Sequence, residues 1–309
     1  MLIYKILLSL QRKVCIVSKL SQQTSREMWR CVRYSSIFSR GNFDRLLKRN
    51  DYTLFQEIIS DYDSKLIGSR LITYADFTDY AYKYILKNYR NEYVFKNSLI
   101  NMLIKEFGTS HTIIFNEFSV GNSIADLVMF NGISRAYEIK TELDSDKRLG
   151  TQLADYKKIF QRCFVVVHDN CVGKYINADD DIGIISMCVN RGNVKFEEVK
   201  APKDNHNIDP HILIRCLRSS EYKELVKRYY RELPEMNAFT AFSICEEMMS
   251  AIPSDKLNCL FIDLMKERKT NMSQLKIFDK HLRQIGLSMH FSDKDYEIVN
   301  QRLQEPIQI

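Results

Sequence analysis

Residues that bend or cross-link a chain are scarce or scattered in this sequence. Five prolines and ten glycines among 309 residues argue against a linker-rich or disordered protein. The eight cysteines include no Cys-x-x-Cys pair, which argues against the common zinc sites. In a chain of this size, scattered cysteines indicate reduced and mostly buried thiols, so we expect a cytoplasmic protein. The length predicts one large domain or two modest ones.

Long apolar runs are also missing at the N-terminus. The stretch Ile6–Leu10 is interrupted by Ser9 and is too short to cross a membrane. Arg12 and Lys13 follow where a signal peptide would continue its apolar segment. We therefore expect no membrane contact. Two interpretations of residues 1–40 stay open: a basic leader, which we favour, and an organellar transit peptide.

Positive charge is concentrated at the start of the chain. The formal net charge is +6, and residues 1–49 hold eleven Lys or Arg and two acidic residues. That segment therefore carries +9 and the other 260 residues carry −3. The basicity does not by itself make the rest of the chain a nucleic-acid binder. A later basic stretch is either a solvated rim or a surface that follows a phosphate backbone. It consists of Arg215, Arg218, Lys223, Lys227, Arg228 and Arg231.

The most informative segment begins with two runs of β-forming residues. Ile124–Phe130 is followed by Asn131-Gly132, a strong hairpin signal, and then by Ile133–Thr141. Because side chains alternate along a strand, Glu138 and Lys140 share one face of the second run. The pattern predicts a β-hairpin that carries a carboxylate beside an ammonium group.

The length of the hairpin loop decides whether Asp126 joins them. A two-residue turn sets Asp126 opposite Tyr137, on the other face, whereas a three-residue loop with a glycine bulge sets it opposite Glu138. Only the second register brings two carboxylates together, and their repulsion favours a bound cation. Carboxylate oxygens at few positions suit Mg²⁺ or Mn²⁺, which can activate water against a phosphodiester while Lys140 offsets charge on the phosphoryl oxygens.

The helix predicted after the hairpin adds polar groups on one face. Its apolar positions are Leu149, Leu153, Tyr156 and Phe160. Gln152 and Tyr156 lie four residues apart and therefore share a face, where both can hydrogen-bond a phosphate or a metal-bound water. Lys147 and Arg148 stand at the helix start and either contact backbone phosphates or form a solvated basic turn.

These motifs resemble those of a known nuclease family. Asp126, eleven intervening residues and the Glu-Ile-Lys triplet at 138–140 resemble the core of PD-(D/E)XK nucleases. The pattern Gln152-x-x-x-Tyr156 is similar to the helix motif of the RecB-like branch. The resemblance covers about residues 90–200, and the longer run that begins at Glu117 looks like an uncharacterised bacterial set within that superfamily. Ala125 replaces the proline that names the motif, and the cysteine cluster of iron–sulfur nucleases is missing.

The resemblance implies an α/β fold with a restriction-endonuclease-like αβββαβ core, a mixed sheet flanked by helices. It implies Mg²⁺- or Mn²⁺-dependent cleavage of nucleic acid, with DNA expected, in phage defence or DNA repair. Asp126 and Glu138 would be metal ligands, and Lys140 would be the catalytic lysine. Gln152 and Tyr156 would position the substrate. An inactive module of the same fold that binds nucleic acid or protein is the alternative.

Two further acids are candidates on strand parity or position. Glu117 is either a third metal-binding carboxylate or an ordinary surface acid, because parity cannot fix the face. Glu92 is either a partner of a helix dipole or an outer acid near the metal.

The rest of the chain is expected to be helical on both sides of the core. We predict a helical region at 41–90, the nuclease-like domain at 91–200 and a helical domain at 206–309. The polar stretch Ala201–Asp209 marks the boundary. The C-terminal helices are either a substrate-binding or a dimerising module, and we expect a homodimer through them.

Overall fold

A computed structural model describes residues 25–308 apart from 90, 142, 143, 191 and 269. Most of the predicted leader therefore lies outside the described residues. The chain divides into two compact units: the described residues up to Asn91 together with 298–308, and Glu92–Glu297. The sheet and the helices within residues 92–297 thus form one unit. The chain is therefore not divided at Ala201–Asp209, where the sequence led us to expect a boundary.

The first unit is helical. Its helices are α1 (residues 25–37), α2 (Arg40–Arg49), α3 (Thr53–Tyr62) and α4 (Tyr74–Asn88). The side chain of Thr73 accepts a hydrogen bond from the backbone N–H of Asp76, whose carboxylate accepts in return, so α4 begins with a capping box. In the interior, Arg30 contacts the buried carboxylate of Asp63 at 2.5 Å, which leaves neither charge isolated.

The second unit is built on a six-stranded mixed sheet whose strands lie in chain order. The strands are β1 (Ile113–Val120), β2 (Ser123–Phe130), β3 (Ser134–Lys140), β4 (Arg162–His168), β5 (Gly183–Asn190) and β6 (Asn193–Lys200). β1, β2 and β3 are antiparallel, β3, β4 and β5 are parallel, and β6 returns antiparallel. The expected α/β class, a mixed sheet flanked by helices, is confirmed.

Two helices complete the order of elements around the first four strands. α5 (Glu92–Phe107) precedes β1, and α6 (Leu149–Tyr156) lies between β3 and β4. The order from α5 to β4 is therefore α-β-β-β-α-β. Every residue of β3 is buried, as expected for an inner strand covered on both faces.

The remaining helices follow the sheet, apart from one that lies between two of its strands. They are α7 (Val172–Tyr175), which lies between β4 and β5, and then α8 (Pro210–Cys216), α9 (Ser219–Tyr230), α10 (Ala241–Ser250), α11 (Ser254–Glu267), α12 (Met272–Ile277), α13 (Arg283–Ser288) and α14 (Asp293–Leu303). α13 packs against α5 and β1, and α11 packs against β2, where the Phe130 and Phe261 rings meet at 5.2 Å. Within the described residues, no helix has the length and apolar character needed to cross a membrane.

Candidate functional site

The hairpin between β2 and β3 has the register that the site requires. Phe130 pairs with Ser134 and Leu127 with Tyr137, so three residues form the loop and the next position sets Asp126 opposite Glu138. Gly132 in that loop has φ +93°, a conformation that glycine adopts without steric cost. Of the two registers that the sequence left open, the structure therefore has the one with a three-residue loop.

Asp126 lies at the point where β2 and β3 separate. The regular pairing ends at Leu127–Tyr137, while β3 stays paired with β4 as far as Lys140. The backbone N–H of Ile139 donates instead to Asp126 Oδ2 at 2.8 Å. The carboxylate thus takes the place of a strand–strand hydrogen bond, which satisfies a buried donor and fixes the side chain between the strands.

Glu138, Lys140 and Gln152 form a hydrogen-bonded chain beside it. Lys140 Nζ donates to Glu138 Oε1 at 2.8 Å and to Gln152 Oε1 at 3.1 Å. The first two residues share a face of β3, and α6 brings the third over that face. An ammonium group has three N–H donors, so two of them hold Lys140 in place and one remains for another acceptor.

Tyr156 is buried and hydrogen-bonds to Glu138. Its Oη lies 2.7 Å from Glu138 Oε2 and 2.7 Å from the carbonyl oxygen of Ile124. The side chain is fully buried and contacts Glu138, whereas the sequence suggested a hydrogen bond to a phosphate or a metal-bound water. A phenol has one proton for these two acceptors. When Glu138 is protonated, its own O–H can donate to Tyr156, which frees the phenol proton for Ile124.

A second buried lysine belongs to the same cluster and was not predicted from the sequence. Lys96 of α5 contacts Asp126 Oδ1 at 2.9 Å and Glu92 Oε1 at 2.5 Å. Its side chain is 4% exposed, whereas that of Glu92 is 60% exposed. Glu92 is therefore linked to Asp126 through Lys96 and also stands in the first turn of α5, so both of its sequence interpretations stay open.

The burial of these charges shifts their protonation equilibria. Burial raises the pKa of Asp126, although Lys96 and the Ile139 N–H oppose the shift. Burial and then the charge of Asp126 raise the pKa of Glu138. Burial alone would lower the pKa of Lys96, but the charges of Asp126 and Glu92 outweigh it and raise this pKa. The two carboxylates therefore lie close enough for the charge of one to affect the protonation of the other.

The remaining predicted residues lie outside this cluster. Glu117 falls in line with Asp126 in the β1–β2 register, between the pairs Asn116–Leu127 and Phe118–Ala125. However, its φ of 58° takes its backbone out of the strand conformation.

The side chain of Glu117 is exposed and lines a separate cavity at the sheet edge, to which neither Asp126 nor Glu138 contributes among the described residues. The structure therefore places Glu117 at that cavity rather than in the carboxylate cluster. Lys147 and Arg148 are exposed immediately before α6, the helix that carries Gln152.

The sheet-bearing part of the chain matches a known protein family. The family described as bacteriophage P4 protein cII matches residues 86–287, which include the sheet and the whole cluster. Protein cII of Enterobacteria phage P4 is 30% identical over 141 residues, which cover 43% of this chain and about half (52%) of that protein. A solved protein of unknown function from Silicibacter pomeroyi matches 45% of the chain and 93% of its own length, with 13% identity and a TM-score of 0.29, too low to support an argument. The chain belongs to the family of bacteriophage P4 protein cII.

Proposed function

We propose that this protein is a PD-(D/E)XK-type nuclease that hydrolyses phosphodiester bonds of nucleic acid, with DNA as the expected substrate. The observation that carries the proposal is the β2–β3 register, which sets Asp126 opposite the Glu138–Lys140 pair. The α-β-β-β-α-β order from α5 to β4 supports a restriction-endonuclease-like core. Function lies in the site rather than in the fold, so the argument rests on what these side chains can do.

The cluster has the donor set that a small hard cation needs. Mg²⁺ binds through one or two carboxylates and completes its shell with water and substrate phosphate. Asp126 and Glu138 supply two such groups, and each oxygen that already accepts one hydrogen bond keeps a second lone pair. No group of three or more His, Cys, Asp or Glu side chains arranged to hold a metal is found in the described part of the chain, so the fit is to a two-carboxylate site. Bound there, Mg²⁺ or Mn²⁺ would polarise the phosphodiester and lower the pKa of a water ligand.

Two lysines define the charge that the substrate would meet. Lys140 is held by Glu138 and Gln152, and its remaining N–H can donate to a phosphoryl oxygen as negative charge develops there. Lys96 forms an ion pair with the other carboxylate, Asp126. Lys147 and Arg148 are exposed at the start of α6, where they can contact backbone phosphates.

One observation favours a second candidate, an inactive module of the same fold that binds nucleic acid or protein. Each oxygen of Asp126 and Glu138 already accepts a hydrogen bond or ion pair from the protein itself. The two lysines therefore neutralise the two carboxylates without a metal. Such a cluster could be retained for the stability or specificity of the core alone.

Cleavage assays separate the two candidates. Labelled single- and double-stranded DNA and RNA are incubated with the full chain and Mg²⁺ or Mn²⁺, with EDTA as the metal-free control. We expect cutting that disappears with EDTA, in Asp126→Asn and in Lys140→Met, and that persists in Lys105→Met, which changes an exposed lysine of α5. Cutting that survives Lys140→Met would contradict the nuclease assignment, and no cutting on any substrate would favour the inactive module.

The proposal also includes a homodimer and a cytoplasmic location. A homodimer through the C-terminal helices predicts twice the chain mass of 36.4 kDa by light scattering. The cytoplasmic location is likewise a prediction from the scattered cysteines, seven of which are free among the described residues.

A further inference from the structure

Lys96 is held between two carboxylates that differ in burial. Its Nζ lies 2.9 Å from Asp126 Oδ1 and 2.5 Å from Glu92 Oε1. The side chain of Asp126 is 19% exposed, whereas that of Glu92 is 60% exposed. Glu92 precedes Lys96 by four residues in α5 and therefore lies on the same face of that helix. One ammonium group thus bridges an inner acid of the cluster and an acid that faces solvent.

The two oxygens of Asp126 differ in how firmly their partners are fixed. Oδ2 accepts a hydrogen bond from the backbone N–H of Ile139, which belongs to a strand held by its pairing with β4. Oδ1 is paired with the ammonium group of Lys96, which stands at the end of a flexible side chain. Rotation of one side chain can therefore break the contact at Oδ1, whereas breaking the contact at Oδ2 requires movement of a strand.

The lysine that pairs with Glu138 is held differently. Lys140 contacts Glu138 at 2.8 Å and the neutral amide oxygen of Gln152 at 3.1 Å. If Lys96 left Asp126, it would keep an anionic partner. Lys140 without Glu138 would keep only the neutral one among the contacts described. Of the two lysines, Lys96 is therefore the one that can leave its buried carboxylate and still have its charge paired.

We propose that Lys96 is a displaceable counterion, which leaves Asp126 for Glu92 when the cluster takes a divalent metal ion. The inference rests on the proposed metal site and adds how that site is regulated. A divalent cation and an ammonium group on the same carboxylate repel each other, and the repulsion is strong where burial keeps water away. Because Lys96 already contacts Glu92, the exchange breaks one ion pair and keeps the other. Glu92 therefore favours metal binding without being a metal ligand.

Titration of Mn²⁺ by electron paramagnetic resonance, without nucleic acid, tests this exchange in a double-mutant cycle. The full-length proteins are the unmodified chain, Glu92→Gln, Lys96→Met and the double variant. We expect Glu92→Gln to weaken Mn²⁺ binding about fivefold in the unmodified chain but less than about twofold in Lys96→Met, because its effect passes through the lysine. Lys96→Met alone should strengthen Mn²⁺ binding. Glu106→Gln changes an exposed acid at the other end of α5 and, as the matched control, should leave Mn²⁺ binding unchanged.

A crystal structure of the unmodified chain with bound Mn²⁺ tests the exchange without relying on the folding of Lys96→Met. Lys96 should keep its contact with Glu92 and lose the one with Asp126, and a lysine that stays on Asp126 beside the metal would overturn the inference. An equal loss of Mn²⁺ affinity in Glu92→Gln with and without Lys96 would also overturn it, because Glu92 would then act directly on the metal. Either result would leave the nuclease proposal standing. Failure of Mn²⁺ to bind any of the four proteins, even with an oligonucleotide present, would contradict both.

Discussion

Replacing Lys96 with methionine tests the electrostatics of the carboxylate cluster. Methionine fills the space of the lysine stem but removes the charge that contacts Asp126 at 2.9 Å. The side chains of Lys96 and Asp126 are 4% and 19% exposed, so the variant leaves a largely buried carboxylate without this partner. Breaking a buried ion pair from one side costs about 3–5 kcal/mol. The contact with Glu92, which is mostly exposed, adds less than about 1 kcal/mol.

We expect a loss of about 3 kcal/mol at pH 8, near the lower limit, because Asp126 retains the hydrogen bond from Ile139. For a unit of this size the loss corresponds to a decrease of roughly 6–12 °C in Tm. Burial already raises the pKa of Asp126, and without Lys96 that pKa rises further. A carboxyl group with a raised pKa in the folded state stabilises the fold below its ordinary pKa of 3.8 and loses this contribution as pH rises. The deficit of the variant should therefore shrink as pH is lowered.

Thermal unfolding followed by circular dichroism at pH 5 and pH 8 measures both effects. Lys105→Met, an exposed change on the same helix, is the matched control and should shift Tm little at either pH. Mn²⁺ should recover part of the loss in Lys96→Met, because a ligand that binds the folded state stabilises it. A deficit that is equal at both pH values and unaffected by Mn²⁺ would refute the electrostatic explanation and leave only lost packing.

Two further predictions concern the Tyr156 hydroxyl and the ion pair between Glu221 and Arg268. Tyr156→Phe removes the hydroxyl shared by Glu138 and a backbone carbonyl, so we expect about 1–3 kcal/mol of destabilisation in urea unfolding and slower cleavage; an unchanged rate would exclude a positioning role. Burial opposes ionisation of Glu221, but its ion pair with Arg268 outweighs this and holds its pKa below the ordinary 4.5. The pair therefore stabilises the fold above that pH and is lost as pH falls through the lowered pKa. Glu221→Gln should cost stability at pH 7 but much less at pH 3, and an equal loss at both would contradict the assignment.

The β2–β3 hairpin shows what local sequence can predict. Alternation along β3, the Asn131-Gly132 signal and the spacing from Asp126 limited the register to two choices, and the structure has the one that builds the cluster. The sequence pattern does not predict that Lys96 is buried, because a lysine in an apolar helical pattern normally extends to solvent. Its buried position depends on Asp126, thirty residues later in the chain.

The other differences also arise from contacts between distant parts of the chain. The polar stretch Ala201–Asp209 has the composition of a linker, yet its backbone is hydrogen-bonded to the unit around it. Asn205 N–H donates to the carbonyl of Gln161 at 2.8 Å, and Asp209 N–H to that of Lys158 at 2.8 Å. Composition reports polarity, but these bonds make the segment part of the fold.

The charge balance of the cluster leads to a last prediction, which concerns the coupling between metal binding and nucleic-acid binding. Asp126, Glu138 and Glu92 with Lys96 and Lys140 sum to −1, so a divalent cation alone would leave one positive charge in a site that is largely buried. A phosphodiester brings compensating negative charge, so metal and nucleic acid should each strengthen the binding of the other.

We expect Mn²⁺ to bind the free chain weakly and at least about tenfold more tightly, a coupling of about 1.4 kcal/mol, with an oligonucleotide present. Titration of Mn²⁺ by electron paramagnetic resonance, with Asp126→Asn as the variant that lacks one ligand, measures this coupling. In Lys96→Met one of the competing charges is gone, so Mn²⁺ should bind more tightly without nucleic acid and the coupling should fall. Equal Mn²⁺ affinity with and without oligonucleotide in the unmodified chain would contradict the coupling. No Mn²⁺ binding under either condition would mean that the two lysines are permanent partners of the carboxylates, as the inactive-module alternative requires.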